Sequence, residues 1–176
     1  MTLSIIVPVH NEEGQTRLFY DRARPVLERL PGLGEWEIVY VNNGSEDRTG
    51  EEVLRLRSSD PRVKLITLSK NFGYHAALAA GLSSRDSDLY AIVDVDCEDP
   101  PELLEQFYAS MRTGAQLAYG IRSNREESRF ITLGRKLFYS LNRRIADSEI
   151  VMWMAEFAMM TRQVRDAILL PRTTYP

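Results

Sequence analysis

The chain contains little cysteine and little histidine, and both shortages limit the sites that it can build. Among its 176 residues there is one cysteine, Cys97, and there are two histidines. A single cysteine excludes an internal disulfide, which fits a reducing compartment. Two histidines are too few for a histidine-rich metal cluster. Neither a disulfide-stabilised fold nor a histidine-based metal site is therefore expected.

An excess of positive charge and long apolar runs are also missing. The formal net charge is −3, so the chain lacks the basic surface with which a general nucleic-acid binder neutralises phosphates. No apolar run reaches the ~18 residues that span a bilayer. The longest, Ile150–Met160, is shorter and contains Glu156. No basic segment precedes the first apolar residues at Leu3, so we expect no secretory signal and a cytoplasmic protein.

What the sequence does contain is a regular alternation of two kinds of segment. Apolar, β-branched runs predict strands at Leu3–Val9, Glu37–Val41, Val63–Leu68, Leu89–Val93 and Ala115–Ile121. Near-continuous apolar runs are typical of strands that are covered on both faces. Helix-like patterns lie between and after them. Four have clear ranges, at Glu12–Leu30, Gly73–Leu82, Ser128–Ala146 and Arg162–Leu170. Two more are marked by their starts, one after Ser45 as N-cap and one from Pro100 with Asp99 as its cap. This order predicts an α/β fold with a mainly parallel sheet and helices on both faces.

Three polar clusters each follow a predicted strand. They are His10-Asn11-Glu12, Asn42-Asn43-Gly44-Ser45 and Asp94-Val95-Asp96. In parallel α/β sheets, ligands bind beyond the carboxyl ends of the strands. We therefore expect these three clusters to meet at one edge of the sheet, although they are far apart in sequence.

The acidic cluster predicts a divalent metal site. If the strand conformation persists, Asp94 and Asp96 point to the same side, and Glu98 continues the alternation as a third carboxylate. Such oxygen ligands suit Mg²⁺ or Mn²⁺, with diphosphate oxygens and water completing the coordination shell. The alternative interpretation is a solvated acidic turn before a helix. Among these acids we expect the pKa of Cys97 to be raised, which argues against a nucleophilic thiolate.

Neither of the common phosphate-binding loops is present. The sequence contains no G-x-G-x-x-G fingerprint and no P-loop. Phosphate would then be held by a metal ion and by cationic side chains, of which Lys70, Arg122 and Arg125 each follow a predicted strand. A plain surface charge is the alternative for Arg125. The methionines at positions 152, 154, 159 and 160 are expected in the core rather than in a lipid groove.

Five motifs, in this order and spacing, resemble the family 2 glycosyltransferases, which have a GT-A fold. They are Ile6–Glu13, Val41–Thr49, Lys70–Ala77, Asp94–Glu102 and Tyr119–Ser128. Within that family the sequence is similar to the polyprenyl-phosphate sugar transferases, such as dolichyl-phosphate mannose synthase and bactoprenol-phosphate glucosyltransferases. The resemblance implies one GT-A domain over residues 1–176, which we expect to be truncated at its C-terminus, and a location at the cytoplasmic face of the membrane.

The resemblance also implies a role for each site residue. Pro8, His10, Glu12, Asn42 and Asn43 would contact the nucleoside. Lys70 would lie near the base or phosphates. Asp94, Val95 and Asp96 would lie at the cation, with Glu98 as a further ligand. Arg122 and Arg125 would contact the donor diphosphate or the lipid phosphate. The implied reaction moves a sugar from a nucleoside-diphosphate donor to a polyprenyl phosphate with inversion, assisted by Mg²⁺ or Mn²⁺.

Two departures from the family pattern leave alternatives open. Asn43 stands where the family usually has an aspartate, which predicts a relaxed or shifted base preference. The later motif, usually Gly-Asp-Phe-Arg, reads Ala155-Glu156-Phe157-Ala158, and Glu156 would be the general base if the acceptor were a sugar hydroxyl. The alternative functions are a family 2 transferase acting on a soluble saccharide or polysaccharide, and a non-catalytic nucleotide-sugar-binding module.

Overall fold

The computed structural model describes residues 1–121 and 154–170. The chain divides into two compact units, one formed by residues 1–119 and 156–176 and the other by residues 120–155. The first unit carries most of the described residues. The predicted helix Ser128–Ala146 lies outside the described residues, and the assignment of residues 1–176 to one domain stays a prediction.

The described strands form one mixed, mainly parallel sheet, as the sequence predicts. They are β1 (Thr2–Val9), β2 (Glu35–Asn42), β3 (Val63–Thr67), β4 (Leu89–Ile92), β5 (Leu117–Ile121) and β6 (Met154–Thr161). The strand order is β3-β2-β1-β4-β6-β5. β1 pairs in parallel with both β2 and β4, and β2 pairs in parallel with β3. All five predicted strands are confirmed.

The predicted order of elements lacks strand β6, because the sequence pattern indicated no strand over Met154–Thr161. Strand β6 pairs antiparallel with β4, with Ile92 opposite Ala158 and Tyr90 opposite Met160. The methionines and alanines of β6 are not typical strand residues, so its conformation is set by its pairing with β4 and by burial. Met159 is fully buried and Met160 is 2% exposed. The prediction that these methionines belong to the core is confirmed for those two, while Met152 and the side chain of Met154 lie outside the described residues.

The described helices follow the predicted order, with two corrections at their starts. They are α1 (Gln15–Arg29), α2 (Thr49–Ser59), α3 (Tyr74–Ser83), α4 (Leu104–Arg112) and α5 (Arg162–Leu169). The prediction of Ser45 as an N-cap is wrong, since α2 begins four residues later and the Ser45 hydroxyl accepts from the Asn11 N–H instead. The prediction of Asp99 as a cap is also wrong, because Pro100 holds the cap position of a 3-10 turn that precedes α4.

Helices cover both faces of the sheet. On one face, Phe19 of α1 meets Tyr40 of β2 edge-to-face at 6.3 Å between ring centroids, and Phe107 of α4 meets Phe157 of β6 at 4.9 Å. On the other face, α3 and α5 pack over a buried cluster formed by Ile6, Val39, Val41, Ala77, Leu82, Tyr90 and Met160. Within residues 1–121 and 154–170, no helix is long and apolar enough to cross a bilayer.

The strand order places a topological switch point at β1. The chain moves from β1 outward through β2 and β3, and it then returns to the other side of β1 as β4. The loops after β1 and β4 therefore lead away from each other, toward the strands on either side of this pair, and a crevice opens beyond the carboxyl ends of the two strands. Ligands of open α/β sheets bind in this position.

Candidate functional site

A cleft of about 440 Å³ opens at this switch point. Its volume lies within the range of small-molecule sites. The lining residues are Pro8, Val9, His10, Glu12, Asn43, Asn71, Gly73, Tyr74, Asp94, Val95 and Asp96. The loops after β1, β2, β3 and β4 all contribute, so the three predicted polar clusters do meet at one edge of the sheet.

The loop after β1 is held by side chains from the segment after β2. Backbone N–H groups of residues 11, 12, 13 and 14 donate in turn to side-chain oxygens of Ser45, Thr49, Asp47 and Glu52, at 3.0, 2.8, 3.1 and 2.8 Å. The Asn11 side chain accepts in return from the Glu46 N–H at 2.9 Å. Four successive amides before α1 are thus already paired within the protein. They are not free to cradle phosphate, as the amides of a glycine-rich loop are in a dinucleotide-binding fold.

Asn43 joins the loop after β2 to the loop after β3. Its side chain is nearly buried, its Oδ1 accepts from the Phe72 N–H at 2.9 Å, and its Nδ2 donates to Asn71 Oδ1 at 3.0 Å. Asn71 Oδ1 also accepts from the Gly73 N–H at 2.8 Å. A carboxamide has two N–H groups and two acceptor lone pairs. One N–H and one lone pair of Asn43 therefore remain for a group bound in the cleft.

Gly44 allows these two loops to approach each other. Its φ is +69°, and a Cβ at this position would lie 2.4 Å from the Lys70 carbonyl carbon and 2.6 Å from the Asn71 nitrogen. Both the left-handed conformation and the close backbone contact require glycine.

The acidic residues of the cleft lie close enough to affect one another electrostatically. Burial raises the pKa of Glu12, and the carboxylates of Asp96, Asp47 and Asp94 raise that pKa further. Among the residues that the structure describes, no group of three or more His, Cys, Asp or Glu side chains is arranged to hold one metal ion. A site at this edge with fewer protein ligands would need an ion that keeps water and phosphate ligands, as Mg²⁺ and Mn²⁺ do, and the assignment of Asp94 and Asp96 as its ligands stays a prediction.

The chain leaves the strand conformation before the acidic cluster ends. β4 ends at Ile92, and Cys97 has a left-handed backbone with φ +57°. The strand conformation from which Asp94, Asp96 and Glu98 were expected to point to one side therefore does not persist. The Glu98 N–H donates to Asp96 Oδ1 at 3.0 Å, and the role of Glu98 as a further ligand loses that geometric basis. Val95 is buried below the turn. The predicted rise in the pKa of Cys97 is confirmed, with burial as the main cause.

The structure brings together some of the predicted site residues and separates others. Those that line the cleft are Pro8, His10, Glu12, Asn43, Asp94, Val95 and Asp96. Asn42 is buried beside the cleft, where its Oδ1 accepts from the Ser45 N–H. Lys70 and Glu98 are exposed outside the lining, with the Lys70 ammonium 5.1 Å from the Phe72 ring centroid. Arg122, Arg125 and the side chain of Glu156 lie outside the described residues.

Four lining residues were absent from the predicted set, namely Val9, Asn71, Gly73 and Tyr74. Three of them belong to the loop after β3 and the start of α3, from which only Lys70 was chosen. The Tyr74 hydroxyl donates to Asp94 Oδ1 at 3.0 Å. Tyr74 begins α3, well after the end of β3 at Thr67, so the rule on strand ends that identified the other clusters did not identify it.

Comparison with known proteins gives matches along almost the whole chain. Residues 4–169 match the model of Glycosyl transferase family 2. The glycosyltransferase YkcC of Bacillus subtilis is 35% identical over 93% of this chain and 50% of its own length. The bactoprenol glucosyl transferase of Shigella phage SfX is 35% identical over 97% of this chain and 56% of its own length. The chain thus spans about half the length of these curated relatives.

Solved structures share the fold at lower identity. The mannosyltransferase PcManGT of Pyrobaculum calidifontis, in complex with GDP-Man and Mn²⁺, superposes with a TM-score of 0.64 at 19% identity, over 99% of this chain and 47% of that one. Glucosyl-3-phosphoglycerate synthase of Mycobacterium tuberculosis, in complex with Mn²⁺, UDP and phosphoglyceric acid, has a TM-score of 0.63 at 20% identity, over 93% of this chain and 56% of that one. At this identity the likeness establishes the GT-A fold.

Proposed function

The chain belongs to glycosyl transferase family 2, and from this premise we propose that it moves a sugar from a nucleoside-diphosphate donor, a UDP-sugar, to a polyprenyl phosphate with inversion at the anomeric carbon. The observation that carries the proposal is the cleft at the switch point of the sheet, which Asp94 and Asp96 line together with Pro8, His10 and Asn43. The cleft thus offers carboxylates for a cation and polar groups for a nucleoside.

The donor diphosphate binds through Mg²⁺ or Mn²⁺ held by Asp94 and Asp96. The paired amides of residues 11–14 support this assignment, because these four N–H groups are not free to bind phosphate. Glu12 supports the same site, because burial raises its pKa and the carboxylates of Asp96, Asp47 and Asp94 raise that pKa further, and a cation would relieve their repulsion. When bound, the cation neutralises the charge that develops on the departing diphosphate. The structures of fold relatives with Mn²⁺ and a nucleotide or nucleotide sugar agree with such a site.

The nucleoside lies against Pro8, His10 and Asn43. Asn43 retains one N–H and one lone pair after its contacts with Asn71 and Phe72. An aspartate at that position only accepts when ionised, whereas an amide both donates and accepts. We therefore infer that the protein selects weakly between uracil and cytosine. Comparable Mn²⁺-dependent affinities for UDP and CDP are expected, with Asn43→Asp increasing the preference for UDP. A clear UDP selectivity of the wild type would refute the inference.

The acceptor is a polyprenyl phosphate. Relatives at 35% identity are named as bactoprenol glucosyl transferases, which supports this acceptor class. A lipid phosphate is already ionised at neutral pH, so its oxygen attacks the anomeric carbon without a strong general base. The attack comes from the face opposite the leaving diphosphate and inverts the anomeric configuration. Arg122 and Arg125 are proposed to hold the phosphate charges, and Glu156 would act as base only for a hydroxyl acceptor.

The test is a screen of nucleotide sugars with Mn²⁺, with and without polyprenyl phosphate, in the full-length protein. Product that forms only when both Mn²⁺ and polyprenyl phosphate are present is expected. Transfer to a soluble saccharide at an equal rate would contradict the acceptor assignment. Donor binding without any transfer would identify a non-catalytic binding module instead.

A further inference from the structure

Tyr74 is the first residue of α3, directly after Gly73, whose φ of +88° turns the chain into the helix. The tyrosine lines the cleft, and its hydroxyl donates to Asp94 Oδ1 at 3.0 Å. Its ring meets the His75 ring edge-to-face, with centroids 5.8 Å apart. The contact with Asp94 therefore links the loop after β3 to the loop after β4 across the cleft.

We propose that Tyr74 is a positioning residue, which fixes the Asp94 carboxylate in the orientation that binds the divalent cation. The inference rests on the proposed function, because it takes Asp94 as a cation ligand. Tyr74 itself touches neither the cation nor the donor in this proposal. It acts through Asp94 Oδ1, to which its hydroxyl donates.

The Asp94 side chain depends on such contacts because the hydrogen bonds of the sheet hold only the backbone beside it. β4 ends at Ile92, and the last hydrogen bond across from β1 is donated by the Val93 N–H to the Ile6 carbonyl at 3.1 Å. Val95 is buried and anchors the backbone of the turn. The backbone position of Asp94 is thus fixed on both sides, whereas the direction of its carboxylate is set by side-chain contacts, of which the Tyr74 hydroxyl is one.

Tyr74 can position Asp94 only if its own loop is rigid, and Asn43 provides that rigidity. Asn43 Oδ1 and Nδ2 bond to the Phe72 N–H and to Asn71 Oδ1, and Asn71 Oδ1 also accepts from the Gly73 N–H. The three residues before Tyr74 are therefore tied to the loop after β2. These hydrogen bonds, the backbone from Gly73 to Tyr74 and the bond from the Tyr74 hydroxyl together connect Asn43, proposed for the nucleoside, with Asp94, proposed for the cation.

Removing the hydroxyl while keeping the ring tests the inference. Outer-shell partners of metal ligands are worth about 10–100-fold in metal affinity or activity. Tyr74→Phe is therefore expected to weaken Mn²⁺ binding about 10–100-fold, measured as free Mn²⁺ by electron paramagnetic resonance in the presence of UDP. Turnover of Y74F should recover as the Mn²⁺ concentration is raised. In a background of Asp94→Asn, the same change should have little further effect on Mn²⁺ affinity.

Tyr20→Phe is the matched control. It also removes a tyrosine hydroxyl that donates to an aspartate, since Tyr20 bonds to Asp60 at 2.7 Å, and Asp60 does not line the cleft. Y20F should lower the melting temperature and keep the wild-type Mn²⁺ affinity. Wild-type affinity in Y74F would overturn the inference and leave the proposed function intact. A wild type that binds no Mn²⁺ would overturn both, and loss of a cooperative melt in Y74F would show that the hydroxyl is structural instead.

Discussion

The contact between Gly44 and the backbone of Lys70 and Asn71 makes Gly44→Ala the most informative single change. The new Cβ would lie 2.4 Å from the Lys70 carbonyl carbon, where ordinary contact begins at 3.4 Å. The difference between these distances means that one of the two backbones must move by about 1 Å. Alanine would also have to keep φ near +69°, which costs roughly 1–2 kcal/mol for an L-residue.

The expected loss in the free energy of unfolding is the sum of these two effects, the close backbone contact and the left-handed conformation. Overpacking of a well-packed region typically costs about 1–3 kcal/mol. Together with the left-handed conformation, Gly44→Ala should lower the free energy of unfolding by roughly 2–5 kcal/mol. The displaced segment carries Asn71 and Tyr74, which line the cleft. Because a misplacement of about 1 Å can cost ~100-fold in activity, Mn²⁺-dependent donor binding and turnover should fall steeply as well.

Gly32→Ala separates the two effects. Gly32 also has a positive φ of 77°, but a Cβ there meets nothing within 4 Å. This variant should lose only the roughly 1–2 kcal/mol of the left-handed conformation and bind the donor normally. Urea denaturation gives the stability of both variants, and calorimetric titration with UDP and Mn²⁺ gives the binding. A Gly44→Ala protein that matches Gly32→Ala in stability and in UDP affinity would refute the reasoning.

Two further changes test the core and an ion pair away from the cleft. In Gly81→Ala the Cβ would lie 2.4 Å from Ile6 Cγ2 and 3.0 Å from Val41 Cγ2. Overpacking at the upper end of its usual range, about 3 kcal/mol, less about 1 kcal/mol of helix propensity gives an expected loss of roughly 2 kcal/mol in the free energy of unfolding; unchanged urea denaturation would contradict the packing of α3 on β1. Hydrogen bonds from Arg62, above all, hold the pKa of Asp60 well below its ordinary value. The folded carboxylate therefore adds stability above about pH 5 that is lost as the pH falls toward the folded pKa, and melting curves of Asp60→Asn should lose that part of the acid dependence.

The sequence alone predicted the strands whose own residues show that they are buried. The runs at β1 and β2 are almost entirely apolar and β-branched, which identifies them without knowledge of their neighbours. The segment Met154–Thr161 carries no such pattern, and only antiparallel pairing with β4 makes it a strand. Local rules also placed Ser45 as a helix cap, although its hydroxyl is used by the distant Asn11 N–H.

The candidate site was predictable where it depends on strand ends. His10, Asn43 and Asp94 each follow a strand in a parallel part of the sheet, so their meeting follows from topology alone. Tyr74 was missed because its position depends on Gly44 and Asn43, which are contacts between loops rather than a pattern within one segment. The same long-range geometry explains why Lys70, chosen for its charge, lies outside the cleft lining.

Mn²⁺-dependent binding of UDP to wild type and Asp96→Ala tests the central claim most directly. Calorimetric titrations with Mn²⁺ and with EDTA give the metal-dependent part of the affinity. Asp21→Ala serves as the control, since Asp21 forms an exposed ion pair with Arg17 on α1. Asp96→Ala is expected to abolish the metal-dependent affinity, and Asp21→Ala is expected to keep it. Unchanged Mn²⁺-dependent binding in Asp96→Ala would contradict the assignment of the metal and diphosphate site.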